Sequence, residues 1–171
     1  LLGGGPASEE LLETARGMGL PLAPCYGMTE TAAAITILHP NKFLDGERGV
    51  GHPLPHACIS VRDSRGLQVQ HSRRGRVFVK TKALFQGYFP DKPESVEEGY
   101  SSSDQGYFDD GGGLHITGRL DQAINSGGEL INPLLVQRTI RETGLVSEVV
   151  VVGASDPKWG DCVVAIYVSM G

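Results

Sequence analysis

Five consecutive residues carry side chains that suit contact with a nucleotide: Tyr26, Gly27, Met28, Thr29 and Glu30. A tyrosine ring can stack on a purine, and a glycine lets the backbone turn tightly beside a ligand. A threonine hydroxyl can cap a helix and contact a phosphate oxygen, while a glutamate offers the hard oxygen that Mg²⁺ prefers. A plain strand, turn and helix could use the same residues for structural reasons, so this motif alone does not establish a nucleotide site.

A second candidate is Asp104, which lies between Ser103 and Gln105. A carboxylate that accepts two hydrogen bonds is a natural partner for the vicinal hydroxyls of a ribose. Aspartate is also common in turns, and Gly106 follows two residues later. A structural turn at this position is therefore the alternative interpretation.

A third group of residues lies further along the chain, where Arg119 and Asp121 precede a glycine pair at Gly127 and Gly128. By themselves, Arg119 and Asp121 are explained by an ion pair in a surface linker. Paired glycines accept positive φ angles, which favours a tight hairpin turn before Glu129. The residues of this group therefore predict a linker and a turn, and their chemistry depends on the surrounding pattern.

The elements around the first motif follow the order strand, helix, strand, which is typical of α/β folds. Residues 1–2 resemble the end of a strand that runs into a turn of small residues. Ser8 is a good N-cap for a helix that keeps apolar spacing and ends at Gly17 or Gly19. Residues 20–25 then predict a short buried strand.

The middle of the chain predicts a small, mostly antiparallel β subdomain, because short β-rich runs alternate with glycine-containing turns. The predicted strands cover residues 57–62, 75–81, 106–108 and 114–117.

A second, small α+β unit is predicted to begin near residue 121. Asn132 and Pro133 open a helix, since proline suits the first helical position. The apolar face of this helix is expected to consist of Leu134, Leu135, Val136 and Ile140. Two β-branched runs, residues 146–152 and 162–168, predict the strands that follow.

Composition limits the class of protein. The 171 residues are 40% hydrophobic and 20% charged, as in a soluble globular protein, and the net charge of −5 argues against non-specific nucleic-acid binding. The three cysteines are far apart and lack a C-x-x-C spacing, which argues against a disulfide framework or zinc site and favours a reducing, cytoplasmic compartment. No apolar run approaches the roughly 20 residues of a membrane span. Nothing in the sequence indicates the oligomeric state.

In this order, the three separated motifs resemble those of the adenylate-forming superfamily, which includes acyl-CoA synthetases, luciferases and the adenylation domains of peptide synthetases. The resemblance covers nearly the whole chain and implies a fragment of such an enzyme. Residues 1–119 would be the C-terminal part of the large AMP-binding domain, comprising the end of its α/β subdomain and a small antiparallel β subdomain. Residues 120–171 would be the first part of the small, mobile α+β C-terminal domain.

The resemblance implies a site for ATP and Mg²⁺ around the first motif. It would place Tyr26 against adenine, Thr29 on the α-phosphate and Glu30 on Mg²⁺, with Gly27 and Met28 beside the nucleotide. An earlier turn of small residues would lie along the adenine and the acyl pocket, and it comprises Gly4, Gly5 and Pro6.

Asp104 is implied as the ribose ligand, although the family usually has Thr-Gly-Asp where this chain has Ser102 and Ser103 before the aspartate. Arg119 would reach the ribose or a phosphate, and together with Thr29 and Glu30 it would form the catalytic set.

Asp121 would be the hinge about which the small domain turns between two half-reactions. The glycine turn would flank the pantetheine arm of coenzyme A, with contacts from Gly127, Gly128 and Glu129. The chain departs from the family at Asn125, often Lys, and at Gln137, often Glu, which leaves the identity of the acceptor open.

The implied reaction is the ATP-dependent joining of a carboxylic acid to coenzyme A through an acyl-adenylate. Stretches at residues 22–32, 54–57 and 117–133 are most similar to o-succinylbenzoate–CoA ligases of menaquinone and phylloquinone biosynthesis. The alternatives are another acyl-CoA synthetase, an adenylation domain that loads a carrier protein, and a non-catalytic nucleotide-binding homologue.

Two parts of the family's machinery do not occur in this sequence: the phosphate loop that ends in Pro-Lys and the lysine near the C-terminus of the family. That lysine stabilises the transition state of adenylation, and such charge contacts supply much of the rate enhancement in this chemistry. We therefore expect the 171-residue chain alone to be inactive.

Overall fold

The computed structural model describes residues 1–90 and 99–170. They divide into two compact units, Leu1–Ile116 and Thr117–Gly171. No helix among the described residues is both long and apolar enough to cross a membrane.

The first unit begins with helix α1, Glu9–Gly17, which is capped by Ser8 as predicted. The Ser8 hydroxyl accepts a hydrogen bond from the Leu11 N–H at 3.2 Å, which satisfies one of the free donors at the helix start. The backbone on either side of α1 pairs in parallel, at Leu2 and Pro24. This pairing across a helix is the α/β part of the fold.

The predicted strand over residues 20–25 is largely wrong. Strand β1 covers Cys25–Met28, and residues 20–23 are irregular. The apolar side chains of this segment are used differently, because Leu22 packs against a small core of Ala15, Leu38 and Phe43. Leu22 packs into this core although it lies outside any strand, which explains why the apolar pattern misled.

Strand β1 belongs to a three-stranded sheet with β2, Ala33–Ile37, and β3, His52–Pro53, and both pairings are antiparallel. The short helix α2, Pro40–Leu44, lies between β2 and β3. Gly27 is required by close packing, since a Cβ there would lie 2.2 Å from the Ala33 carbonyl oxygen.

A four-stranded sheet follows, with strands β4, Ala57–Arg62, β5, Gly75–Thr81, β6, Tyr100–Phe108, and β7, Leu114–Arg119, side by side in chain order. The predicted bounds of β4 and β5 are confirmed, while β6 and β7 are longer than predicted. The main core lies between these strands and the three-stranded sheet, and its buried residues are Tyr26, Ile35, Ile59, Val61, Val77, Val79 and Leu114.

The second unit has strands β8, Ile124–Ser126, and β9, Glu129–Ile131, followed by helix α3, Pro133–Glu142. Strands β10, Val146–Asp156, and β11, Gly160–Ser169, complete a sheet in the order β10-β11-β8-β9. The predicted helix start and the hairpin turn are confirmed.

The apolar face of α3 is narrower than predicted. Val136 and Ile140 pack against the core of the second unit, since residues four apart share one face of a helix. Leu134 and Leu135 are 37% and 38% exposed, so their assignment to the core face is wrong.

Candidate nucleotide-binding site

Tyr26 and Asp104 are 78 residues apart in the chain and meet in the structure. The Tyr26 hydroxyl donates a hydrogen bond to the Asp104 Oδ2 at 2.6 Å. Each residue is only 9% exposed. A short bond from a hydroxyl to a carboxylate is among the stronger hydrogen bonds in proteins. The fold therefore brings the motif at residues 26–30 next to Asp104.

The position of Asp104 is further defined by Ser102, which is 1% exposed. The Ser102 hydroxyl donates to the Val77 carbonyl oxygen at 2.9 Å and accepts from the Asp104 N–H at 3.1 Å. This side chain ties β6 to β5 directly beside the carboxylate. Sequence reasoning missed Ser102, because a serine in a strand carries no signal of such a bond.

The ring of Tyr26 lies in the main core, where it packs with buried residues of both sheets. Stacking on adenine needs an open ring face, and a residue that is 9% exposed offers little of one. In this structure Tyr26 is a hydrogen-bond donor to Asp104, and its stacking role stays a prediction.

Thr29 opens a single 3-10 turn, Thr29–Thr31, between β1 and β2. The expectation that it caps a helix is wrong, since the capping position is Met28 and the chain continues into a strand. The hydroxyl that stabilises the turn belongs to Thr31, which accepts from the Met28 N–H at 3.2 Å and donates to the Ala33 carbonyl at 2.8 Å. Thr29 itself is exposed beside this stabilised turn.

Glu30 is the second residue of the same turn, and its carboxylate accepts a hydrogen bond from the Tyr88 hydroxyl. The Glu30 carbonyl oxygen also accepts from the Phe85 N–H at 2.9 Å. Two bonds thus join Glu30 to the segment that follows β5. Tyr88 lies 58 residues away in the sequence, and no local pattern could have indicated it.

Tyr88 sits in a small aromatic cluster. The Phe85 ring lies edge-on to Tyr88 at 4.9 Å and to Tyr100 at 5.3 Å between centroids. The hydrogen bond to Glu30, followed by the contact with Tyr100, raises the pKa of the Tyr88 phenol well above its usual value. The phenol is the donor in its hydrogen bond to the Glu30 carboxylate.

The predicted turn of small residues follows Leu2, which pairs in parallel with Pro24 just before β1. Gly4, Gly5 and Pro6 are exposed, and Gly4 has a φ of 87°. Gly3 anchors the turn, since a Cβ there would lie 2.6 Å from the Cys25 Sγ. The turn thus starts next to Cys25, the residue directly before Tyr26.

Arg119 and Asp121 form a two-pronged ion pair. The Arg119 Nε donates to Oδ1 at 2.9 Å and Nη2 donates to Oδ2 at 2.6 Å. Both side chains are about half exposed, at 47% and 48%. This is the contact expected of a surface linker, and the nucleotide and hinge roles of the two residues stay predictions.

In the second unit, Gly127 and Gly128 have φ angles of 61° and 88°, which a side chain would strain. The Gly127 N–H donates to the Trp159 carbonyl at 2.8 Å, and a Cβ on Gly127 would lie 2.9 Å from the Trp159 ring. Glu129 follows as the exposed first residue of β9. The turn therefore presents two residues without side chains, and the Trp159 ring lies next to Gly127.

Among residues 1–90 and 99–170, no group of three or more His, Cys, Asp and Glu side chains is placed to share a metal ion. A metal held chiefly by protein ligands does not fit this arrangement. Mg²⁺ does fit, because it commonly takes one or two carboxylates and completes its shell with phosphate oxygens and water. Glu30, partly exposed at the tip of a turn, can supply such a carboxylate.

The sequence of this chain matches a family model and several curated relatives. The family model described as "AMP-binding enzyme" matches residues 1–89, just over half of the 171 residues. The 2-succinylbenzoate--CoA ligase of Bacillus cereus (strain AH820) is 35% identical over 175 residues, which cover all of this chain and 36% of that protein. The chain thus spans about a third of the length of the curated relatives that it matches.

Solved structures match along the same stretch. The o-succinylbenzoate CoA synthetase from Bacillus subtilis, in complex with its acyl-adenylate intermediate, is 33% identical with a TM-score of 0.80, covering 98% of this chain and 35% of that one. Its complex with ATP and magnesium ion has the same identity and coverage and a TM-score of 0.77. The amide bond synthetase McbA from Marinactinospora thermotolerans is 32% identical with a TM-score of 0.79, covering 97% and 35%.

The match in fold extends through both units, while the family model covers the part that holds Tyr26, Glu30 and Tyr88. The fold is accordingly that of the C-terminal part of an adenylate-forming enzyme, with mixed α/β structure and mostly antiparallel sheets. The chain belongs to the family of AMP-binding enzymes.

Proposed function

We propose that this chain is part of an ATP-dependent acid–CoA ligase. In the first step a carboxylate oxygen attacks the α-phosphorus of ATP, the bond to the β-phosphate breaks, and pyrophosphate leaves. In the second step the thiol sulfur of coenzyme A attacks the acyl carbon of the adenylate. AMP leaves and the thiol proton passes to solvent.

One observation carries the reaction class. The motif residue Tyr26 and the carboxylate of Asp104 are joined by a buried hydrogen bond in a chain of the AMP-binding family. A carboxylate held this firmly suits the ribose hydroxyls, because its orientation costs no further ordering when the nucleotide binds. In this proposal Gly4, Gly5 and Pro6 border the nucleotide.

The remaining roles follow the same arrangement. Thr29 contacts the α-phosphate from the exposed side of its turn, and Glu30 provides the carboxylate for Mg²⁺. A bound Mg²⁺ would offset charge on the phosphates during transfer. Arg119, now paired with Asp121, would exchange that partner for a nucleotide oxygen, and Asp121 would mark the hinge.

The domain assignment is part of the proposal. Residues 1–119 would belong to the large domain and residues 120–171 to the small one, whose glycine turn at Gly127 and Gly128 would face coenzyme A. The absence of a side chain on that turn would let a narrow thiol arm pass close to the backbone. The cytoplasmic location also stays a prediction.

The acid that we propose is o-succinylbenzoate. The support is the names of relatives that match at least 98% of this chain, the Bacillus cereus ligase and the Bacillus subtilis synthetase. This would place the protein in quinone biosynthesis.

A second candidate is amide formation, in which an amine in place of the thiol attacks the same acyl-adenylate. The match to an amide bond synthetase, with a TM-score of 0.79, favours it as the alternative. The first step is common to both candidates, so only the acceptor distinguishes them.

The test is acid-dependent exchange between ATP and pyrophosphate by the whole protein that contains this chain. We expect strong exchange with o-succinylbenzoate and weak exchange with benzoates, medium-chain fatty acids and amino acids. Adding coenzyme A should then yield the thioester, whereas adding amines should not. Exchange with a different acid would overturn the choice of substrate. ATP binding without exchange for any acid would favour a non-catalytic homologue.

A further inference from the structure

We propose that Tyr88 is a positioning residue whose hydroxyl holds the Glu30 carboxylate in place for Mg²⁺·ATP. This inference rests on the proposed function, because it assigns a partner to the carboxylate that we propose for Mg²⁺. Tyr88 lies outside every sequence motif of the site and reaches Glu30 only in the folded chain.

A second hydrogen bond joins Glu30 to the segment that carries Tyr88. The Phe85 N–H donates to the Glu30 carbonyl at 2.9 Å, which holds the backbone just before Tyr88 against the turn. The Phe85 ring then packs edge-on against the Tyr88 ring at 4.9 Å. The hydroxyl is thus held near Glu30 by backbone and ring contacts that do not depend on the hydroxyl itself.

Tyr100 extends this arrangement to the sheet. Its ring contacts Phe85 at 5.3 Å between centroids, and its hydroxyl lies 3.3 Å from that of Tyr88. Tyr100 is the first residue of β6, the strand that also carries Asp104. Through this contact the segment that orients Glu30 is tied to the strand of the candidate ribose ligand.

The bond between Tyr88 and Glu30 suits a positioning role. A carboxylate at the tip of a short turn has freedom about its side-chain bonds, and a donor on one oxygen restricts that freedom. The Tyr88 hydroxyl binds Oε1, which leaves Oε2 for another ligand. Hydrogen bonds to metal-binding carboxylates commonly fix their orientation and raise the affinity for the metal.

Packing alone does not account for the hydroxyl. Tyr88 is 54% exposed, and its ring contact with Phe85 would remain in a phenylalanine. The Tyr88→Phe variant therefore removes the bond to Glu30 and keeps the aromatic cluster. Tyr107→Phe is a matched control, since Tyr107 lies on the same strand as Tyr100 but stacks on His115 at 4.7 Å, outside this cluster.

The experiment is calorimetric titration of ATP into the whole protein without any acid, once with Mg²⁺ and once with EDTA. We expect Tyr88→Phe to weaken ATP binding about tenfold with Mg²⁺. With EDTA the change should stay below about twofold, because exposed substitutions away from a ligand have small effects. Tyr107→Phe should match the wild type in both buffers. In acid-dependent exchange, high Mg²⁺ concentrations should restore the activity of Tyr88→Phe.

Equal weakening in both buffers would show that Tyr88 serves the structure or the nucleotide alone and would overturn the inference. So would wild-type binding by Tyr88→Phe in the presence of Mg²⁺. If the wild type binds ATP but exchanges with no acid, the ligase proposal fails while calorimetry still decides the role of Tyr88. If the wild type binds no ATP in either buffer, both proposals fall.

Discussion

Two tyrosine–carboxylate pairs lie among the described residues of the first unit, and they differ mainly in burial. Tyr26 and Asp104 are each 9% exposed and join two strands, whereas Tyr88 is 54% exposed and bonds to Glu30 at the tip of a turn. A buried pair cannot exchange its partner for water, so losing one member leaves the other unsatisfied. An exposed pair can do so cheaply. The same chemical contact should therefore contribute more to stability in the buried pair than in the exposed one.

The largest effect is expected for Asp104→Ala, because this change removes both a buried acceptor and the candidate ribose ligand. The free energy of unfolding in urea should fall by about 2 kcal/mol, since the Tyr26 hydroxyl loses its acceptor. The affinity for ATP, measured by calorimetry, should fall by about 100-fold through the loss of two hydrogen bonds to a charged group. Asp110→Ala, at an exposed position of the next turn, is the control and should change neither value.

Glu30→Gln should lower catalytic activity without lowering stability. The amide keeps the shape and can still accept from Tyr88, so the free energy of unfolding should stay within about 0.5 kcal/mol. Acid-dependent exchange should fall by about 100-fold, as expected when a charge that acts on the transferring phosphate is lost. Glu10→Gln on the exposed side of α1 is the matched control. A large loss of stability in Glu30→Gln would show that the exposed pair contributes to stability as the buried pair does.

A direct comparison of the two hydroxyls comes from Tyr26→Phe and Tyr88→Phe, measured side by side in urea. Tyr26→Phe should lower the free energy of unfolding by about 1.5 kcal/mol, because a buried carboxylate loses a donor. Tyr88→Phe should change it by less than about 0.5 kcal/mol. Equal losses in the two variants would mean that burial does not distinguish the pairs.

A small effect that depends on pH is expected at a third pair of intermediate exposure, His115 and Asp109, joined at 2.8 Å. Burial raises the pKa of Asp109, but hydrogen bonds from His115 and Gly113 outweigh it, so the pKa is lower than usual. The charged carboxylate therefore stabilises the fold above its unfolded pKa of about 3.9, and this contribution is lost as the pH falls through the lower folded value.

We expect Asp109→Asn to lose less than about 1 kcal/mol at pH 6 in urea denaturation. The difference from the wild type should shrink as the pH falls below about 4. A difference that stays constant with pH would show that the charge of Asp109 is not what stabilises the turn.

Local signals predicted much of the fold. Ser8 and Asn132 cap α1 and α3 through bonds to N–H groups within three residues, so the sequence around them carries the information. In strands β4 and β5 buried residues alternate with more exposed ones, and the predicted bounds match the structure. The predictions were wrong where the same local pattern occurs in a different structure. At Thr29, for example, the turn leads into a strand and not a helix.

The sequence by itself determined which chemical groups are present, how they are spaced along the chain and which family they belong to, because these properties are carried by neighbouring residues. Only the tertiary structure decided that Tyr26 bonds to Asp104 and that Tyr88 bonds to Glu30, over separations of 78 and 58 residues. Such pairs depend on strand order and register, and a shift of one residue turns a strand's side chains to the opposite face. The partner of each carboxylate is thus a property of the folded sheets.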